Sequence, residues 1–193
     1  MTNDNEQREV IISAASDLFA RFGLDKTTME DIAKASKKRK SSLYYYFKSK
    51  ERIFAKVIGR EIAGLKNKII EAVAKETDPY MKLRNLVNTR LKYLNEKADQ
   101  YTAIKDEYLT HHKFINNLTD EYSNWQISTI RMIVEYGRDK GVFHVSDSET
   151  TSRSLFFALK GLEYPWAVDM SREEIEKSNE VLLEILLKGI SRR

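Results

Sequence analysis

The stretch TTMEDIAKASKKRKSSLYYYFKSKERIF, residues 27–54, decides the fold of this chain. Thr28 is a candidate N-cap for a short helix, and Asp31 follows at the spacing of a capping box. Beyond a basic turn, Leu43 and Phe47 are four residues apart and can be buried together on one face of a second short helix. Two short helices joined by a tight turn predict a helix-turn-helix.

Apolar residues recur at helical spacing on both sides of this stretch. One stripe covers residues 7–22 and ends at Gly23, where a C-terminal cap is expected. Two prolines and seven glycines in the whole chain leave few places where helices are interrupted. Further helices are predicted at about 50–75, 79–97, 100–112, 118–140, 148–170 and 172–191. We therefore predict an all-α fold of about nine helices, with one domain over residues 1–50 and a second over 51–193.

Composition excludes several classes of protein. The chain has no cysteine, so disulfides, thiolate catalysis and cysteine-bound zinc are ruled out. The polar start MTNDNEQRE lacks the apolar core of a signal peptide. No segment approaches the ~18 apolar residues that a membrane helix needs. We therefore expect a cytoplasmic protein with no membrane partner.

The positive charge of the chain is concentrated near its beginning. Residues 1–60 carry 13 Lys and Arg against 8 Asp and Glu, and the remaining residues carry 20 against 21. Within residues 32–50 there are seven Lys and Arg and no acidic residue. A focused basic patch favours a polyanionic partner, although a solvated run of charge gives the same pattern.

The second short helix carries the residue types that reading of double-stranded DNA requires. Ser41 and Ser42 are small enough to enter the major groove and can hydrogen-bond to base edges. Three consecutive tyrosines span about 200° of a helix, so at least one of them is exposed and can donate to a phosphate. The predicted DNA-binding residues are Thr28, Lys38, Arg39, Lys40, Ser41, Ser42, Tyr44, Tyr45, Tyr46, Lys48 and Lys50.

The same stretch resembles the DNA-binding domain of the tetracycline-repressor (TetR) family. The family pattern has a Thr pair, an Ile-Ala helix, a turn and then Leu-Tyr-x-Tyr-Phe-x-x-Lys-Glu, which matches Leu43 to Glu51 here. GRDKGVF, residues 137–143, is similar to the end of the family's seventh helix. The family often has Gly at the left-handed position of Lys37, and its turn is less basic than Lys37-Lys38-Arg39. The sequence leaves open whether these side chains contact bases or phosphates, or only add to the positive field.

The resemblance implies a ligand-responsive transcriptional regulator, most often a repressor, with a C-terminal domain for effector binding and dimerisation. A homodimer with two reading helices predicts a palindromic operator. The implied dimer helices are 148–170 and 172–191, with Phe156, Leu159, Leu182 and Leu186 as interface candidates. An effector pocket is implied with no cofactor or metal, although ordinary core packing is the favoured explanation for each candidate residue taken singly. Those candidates are Tyr101, Tyr108, Phe114, Trp125, Phe157, Tyr164 and Trp166.

The two alternative classes of function are an enzyme and an adaptor that binds only protein. His111 and His112 are adjacent and diverge by about 100° on a helix, so they do not form a ligand pair. Glu107 and His111 share a face, but such a pair is more often a surface contact or a buried hydrogen bond. No phosphate loop or nucleophile motif is present, so we expect no enzyme. A helical adaptor that binds only protein would not need the basic second helix.

Overall fold

The computed structural model describes residues 2–100, 104–161 and 171–191, and it confirms the all-α fold. This part of the chain contains eight helices instead of the nine expected, because the helices predicted at 100–112 and 118–140 form one. Between Ile104 and Tyr136 there is no Gly or Pro to interrupt it. The helices are α1 (Thr2–Lys26), α2 (Met29–Ala35), α3 (Lys40–Tyr46), α4 (Lys50–Ala74), α5 (Pro79–Gln100), α6 (Ile104–Asp139), α7 (Ser148–Gly161) and α8 (Arg172–Ile190).

The chain packs as two units. The first comprises Met1–Gly64 and Asn95–Thr119, and the second comprises Leu65–Leu94 and Asp120–Arg193. The domain predicted over residues 1–50 falls inside the first unit, which also takes in the first part of α4. Among the described helices, none is both long enough and apolar enough to cross a bilayer.

Helices α1 to α4 share one apolar core in the first unit. Phe19 of α1 and Phe54 of α4 meet edge to face with ring centroids 5.2 Å apart. Such aromatic pairs contribute beyond the area that they bury. Burial of one face of each short helix therefore holds α2 and α3 in place. The buried cluster consists of Ile11, Ile12, Ala15, Phe19, Leu24, Ile32, Ala33, Leu43, Phe47, Ile53, Phe54 and Val57.

The turn between α2 and α3 ends the first helix with a left-handed residue. Lys37 has a φ of 55°, which L-residues other than Gly rarely adopt. Its backbone N–H donates to the Lys34 carbonyl at 3.1 Å, and the Lys38 N–H donates to the Ala33 carbonyl at 2.8 Å. These two bonds form a Schellman motif with Lys37 at the position that glycine usually occupies.

The second unit has its own core, which includes the end of the GRDKGVF segment. Gly141 has a φ of 69° and lets the chain turn back after α6. Phe143 then packs against Gly137, where an added Cβ would lie 2.1 Å from the phenylalanine ring. Phe143 and Ser191 form an antiparallel bridge, and the His144 N–H donates to the Ile190 carbonyl at 2.7 Å. Backbone contacts of Phe143 and His144 therefore fasten the segment after α6 to the end of α8 within this unit.

Lys37→Gly is expected to raise the stability of the protein. Glycine relieves the left-handed strain but loses some entropy advantage in the unfolded chain, so the net gain is about 1 kcal/mol at most. Urea unfolding measures the free energy of unfolding of both proteins. Lys37→Ala is the matched control, because it removes the same side chain but keeps the Cβ, and it should not stabilise. Equal stability of the Gly and Ala variants would contradict the strain at Lys37.

Candidate nucleic-acid interface

Helix α2 begins with the capping box that the sequence predicts. The Asp31 N–H donates to Thr28 Oγ1 at 3.2 Å, and the Thr28 N–H donates to Asp31 Oδ2 at 3.0 Å. The Thr28 hydroxyl also donates to Asp31 Oδ2 at 2.6 Å. These hydrogen bonds from Thr28 hold the pKa of the Asp31 carboxyl below its usual value. Thr28, a predicted phosphate contact, therefore already uses its hydroxyl proton within the protein.

Helix α3 has one buried face and one exposed face. Leu43 is fully buried and Phe47, just after the helix, is also in the core. Ser41, Tyr44 and Tyr45 are exposed, and Ser42 is half-buried. The apolar anchors thus turn the small hydroxyls and two of the tyrosines away from the core. This is the arrangement that a DNA-reading helix requires.

The three consecutive tyrosines are not equivalent. Tyr45 is 70% exposed and Tyr44 is 41% exposed. Tyr46 is half-buried, and its ring packs edge to face on Tyr45 with centroids 5.1 Å apart. Burial raises the pKa of the Tyr46 hydroxyl, and the charge of Asp4 and a hydrogen bond to it act in the same direction. Tyr46 is therefore the least exposed of the three, whereas Tyr44 and Tyr45 face solvent.

Three basic side chains around α3 are exposed. Arg39 is the N-cap residue of α3 and makes no side-chain capping bond. Lys40 forms an exposed ion pair with Glu30 at 3.8 Å, and Glu30 also pairs with Lys34 at 3.5 Å. Exposed pairs of this kind are weak, so a phosphate can displace them. Lys48 is exposed as well. These side chains are placed at both ends of the helix.

Two other predicted DNA-binding lysines make contacts within the protein. Lys50 Nζ donates to the Leu24 carbonyl at 2.7 Å and to the Asp25 carbonyl at 3.1 Å. Lys38 Nζ donates to Gln7 Oε1 of α1. Lys50 therefore fastens the start of α4 to carbonyls near the end of α1. Sequence reasoning missed this contact of Lys50. The signal that could have revealed it is Gly23, which interrupts the helical backbone of α1 and leaves nearby carbonyls in need of donors.

The predicted effector residues are only partly described. Trp125 is half-buried, stacks on Tyr122 with centroids 5.8 Å apart and lies 5.2 Å from Lys66 Nζ. Phe157 is 66% exposed. Tyr101, Tyr164 and Trp166 lie outside the described residues, as do the side chains of Tyr108 and Phe114 on α6.

A cavity of about 390 Å³ occurs in the second unit, and no predicted pocket residue lines it. Its walls come from the end of α4, the turn that follows, α5 and α6. Periodicity shows which residues face inward but not where packing leaves space. No group of three or more acidic or histidine side chains in the described part is placed to hold a metal ion. The lining residues are Val73, Glu76, Thr77, Lys82, Thr129, Met132, Ile133 and Tyr136.

The predicted dimer residues are not the exposed residues of α7 and α8. Phe156 and Leu159 are buried in the core of the second unit, at 4% and 3% exposure. Leu182 and Leu186 are half-buried. Among the described side chains of α7 and α8, the large apolar ones that are exposed are Phe157, Val181 and Ile185. The two α7 residues that the family resemblance implied at the interface therefore face the core of the second unit, and the interface on α7 and α8 stays a prediction.

Comparison with known proteins places the site in a family. Residues 11–57 match the sequence model of the bacterial regulatory proteins of the tetR family. HTH-type transcriptional regulator RutR of Escherichia coli (strain K12) is 30% identical over 86 residues, which are 45% of this chain and 40% of RutR. IcaR of Staphylococcus aureus (strain Newman), a negative transcriptional regulator of a biofilm operon, is 47% identical over 47 residues, which are 24% of this chain and 25% of IcaR.

The fold similarity extends much further than the sequence similarity. A transcriptional regulator from Cytophaga hutchinsonii superposes with a TM-score of 0.78 at 24% identity, over 95% of this chain and 98% of the other. By sequence, the chain spans only about 40% of the length of RutR. The matched residues contain α2, α3 and the core that anchors them. Residues 11–57 of this chain are therefore similar to the DNA-binding region of the tetR family of bacterial regulatory proteins.

Proposed function

We propose that this protein is a sequence-specific DNA-binding transcriptional regulator that reads operator DNA with α3. The observation that carries the proposal is the two-sided character of this seven-residue helix. Leu43 and Phe47 fix it to the core, while Ser41 and Tyr45 are exposed between the basic side chains at its two ends. Small hydroxyls suit base edges, and the flanking cations suit phosphates.

Repression is the mode of action that we propose. IcaR, which matches the DNA-binding region, is named as a negative regulator. Its resemblance covers the reading head and supports the class of regulator. The sequence of the operator would identify the gene that this protein controls. Binding across the promoter of that gene would block its transcription. Catalysis has no part in this proposal, and the protein would act in the cytoplasm where its DNA is.

We propose that a small-molecule effector releases the protein from DNA. Helix α4 starts three residues after Phe47 and runs without interruption to Ala74, so it contributes to both units. A ligand that favours the DNA-incompetent position of α4 by ~1–3 kcal/mol would change operator affinity by tenfold or more. The test of this part of the proposal first finds compounds that raise the melting temperature of the protein. It then measures whether these compounds release the protein from the operator.

We also propose that the protein works as a homodimer through α7 and α8. Each of these helices leaves large apolar side chains in solvent, and Phe157, Val181 and Ile185 are all more than half exposed. Exposed apolar groups of this size mark interaction surfaces. Two copies would also present two reading helices to a palindromic operator, which raises affinity and specificity together.

The DNA-binding function predicts steep salt dependence and a preference for one sequence. The test uses an operator selected by the protein from random duplexes and a random duplex of equal length. Affinity for both should fall as salt rises, with a slope of about 0.9 for each phosphate neutralised. The operator should bind at least ~1,000-fold more tightly than random DNA at physiological salt. Equal affinity for the two duplexes would contradict sequence-specific regulation and favour the adaptor alternative.

Two lysine variants test the electrostatic part of the same prediction. Lys48→Ala should weaken binding to both duplexes, lower the salt slope by about one and leave the melting temperature unchanged. Lys50→Ala should lower the melting temperature as well, because its ammonium donates to the Leu24 and Asp25 carbonyls. Lys75→Ala, which removes an exposed charge outside the reading head, is the control. An unchanged slope for Lys48→Ala would remove that residue from the phosphate contacts.

The dimer proposal predicts opposite outcomes for two neighbouring phenylalanines. Phe157→Glu should give a folded monomer with weak operator binding, because Phe157 is exposed. Phe156→Glu should instead lower the melting temperature strongly, because a buried charge is costly. Sedimentation at micromolar concentration measures the association state. Met132→Glu, at an exposed apolar position of α6, is the control and should remain dimeric. A wild-type monomer, or a dimeric Phe157→Glu variant, would contradict the interface.

A further inference from the structure

Helix α3 lacks the local features that hold a short helix in one orientation. It has seven residues, no side-chain cap at Arg39 and no basic residue in its last turn. An isolated helix of this length is unstable in water. Its last carbonyls and the negative end of its dipole need a cation from elsewhere in the protein. Contacts from outside α3 must therefore fix its direction as well as its position.

The first turns of α1 supply such contacts at the end of α3. Arg8 Nη1 donates to the Tyr46 carbonyl at 3.1 Å. The guanidinium also lies 5.7 Å from the centroid of the Tyr46 ring and 5.5 Å from that of Phe47. Arg8 thus places a cation at the C-terminal end of α3 and stacks on two of its aromatic side chains. This geometry combines a charge-assisted hydrogen bond with cation–π contacts.

The same part of α1 contacts two more places around α3. Gln7 Oε1 accepts a hydrogen bond from Lys38 Nζ, in the turn that precedes α3. Burial raises the pKa of the Tyr46 hydroxyl, and interaction with Asp4 raises it further. Asp4, Gln7 and Arg8 are spaced i, i+3 and i+4, so they share one face of α1. Together they contact the turn before α3 and the last residue of α3.

We propose that Gln7 and Arg8 are positioning residues that fix the direction of α3 and thereby set the discrimination between operator and random DNA. The inference rests on the proposed DNA-binding function. Hydrogen bonds to base edges depend on the orientation of the reading helix, whereas phosphate contacts are less specific. Loss of these contacts should therefore weaken operator binding more than binding to random DNA.

Arg8→Ala tests the proposal, with Arg21→Ala as the matched control. Both variants remove one positive charge from α1, but Arg21 contacts Phe22 and not α3. The ratio of operator affinity to random-duplex affinity should fall about tenfold in Arg8→Ala, the loss expected for one charge-assisted hydrogen bond. Arg21→Ala should keep the wild-type ratio. Arg8→Lys keeps the charge but loses the planar stacking group, so its ratio should fall between the other two.

Amide hydrogen exchange in the absence of DNA provides a second readout. Exchange of residues 43–47 should be faster in Arg8→Ala than in Arg21→Ala, with the exchange of α4 unchanged. A wild-type ratio in Arg8→Ala, or an equal fall in Arg21→Ala, would overturn the proposal. If wild-type protein bound both duplexes equally, the DNA-binding function would fail, and exchange would still test the contact with α3. If Arg8→Ala did not fold, Arg8→Lys and Gln7→Ala would carry the same comparison.

Discussion

The structure of the reading head depends on the burial of Leu43 and Phe47 from a helix that is too short to be stable alone. Both side chains enter the core shared by α1, α2 and α4, at 0% and 5% exposure. Since a seven-residue helix gains little from its own hydrogen bonds, tertiary packing supplies most of its stability. The exposed surface of α3 is therefore only as well ordered as the core beneath it.

Local signals in the sequence predicted this part of the fold correctly. The Thr28–Asp31 capping box depends on residues three positions apart, whereas the left-handed position of Lys37 was implied by the family resemblance. Residues far apart in sequence gave no comparable signal. The bonds from Lys50 to the Leu24 carbonyl and from Arg8 to the Tyr46 carbonyl join different helices, so a one-dimensional pattern does not reveal them.

The C-terminal part shows where periodicity becomes ambiguous. Residues 155–157 are all large and apolar, so a rotation of the helix by about 100° exchanges the core face for the surface face. The structure buries Phe156, which was predicted at the dimer interface, and exposes Phe157, which was predicted in the effector pocket. The two helices predicted at 100–112 and 118–140 are likewise one helix, α6, which has no Gly or Pro where the two were divided. In both cases the choice depends on packing partners, which the sequence does not name.

The basic residues of the reading head have two physical roles that a count of charge does not separate. Lys38 and Lys50 donate to groups within the protein, whereas Arg39 and Lys48 are exposed. A hydrogen bond is directional and commits the donor hydrogen to one acceptor. The electric field of an ammonium, in contrast, extends for about 10 Å at moderate salt. Inward-bonded lysines can therefore still attract the DNA backbone while they hold the helices together. The concentration of positive charge in this region follows from both demands, and only the exposed cations can also make direct phosphate contacts without loss of internal structure.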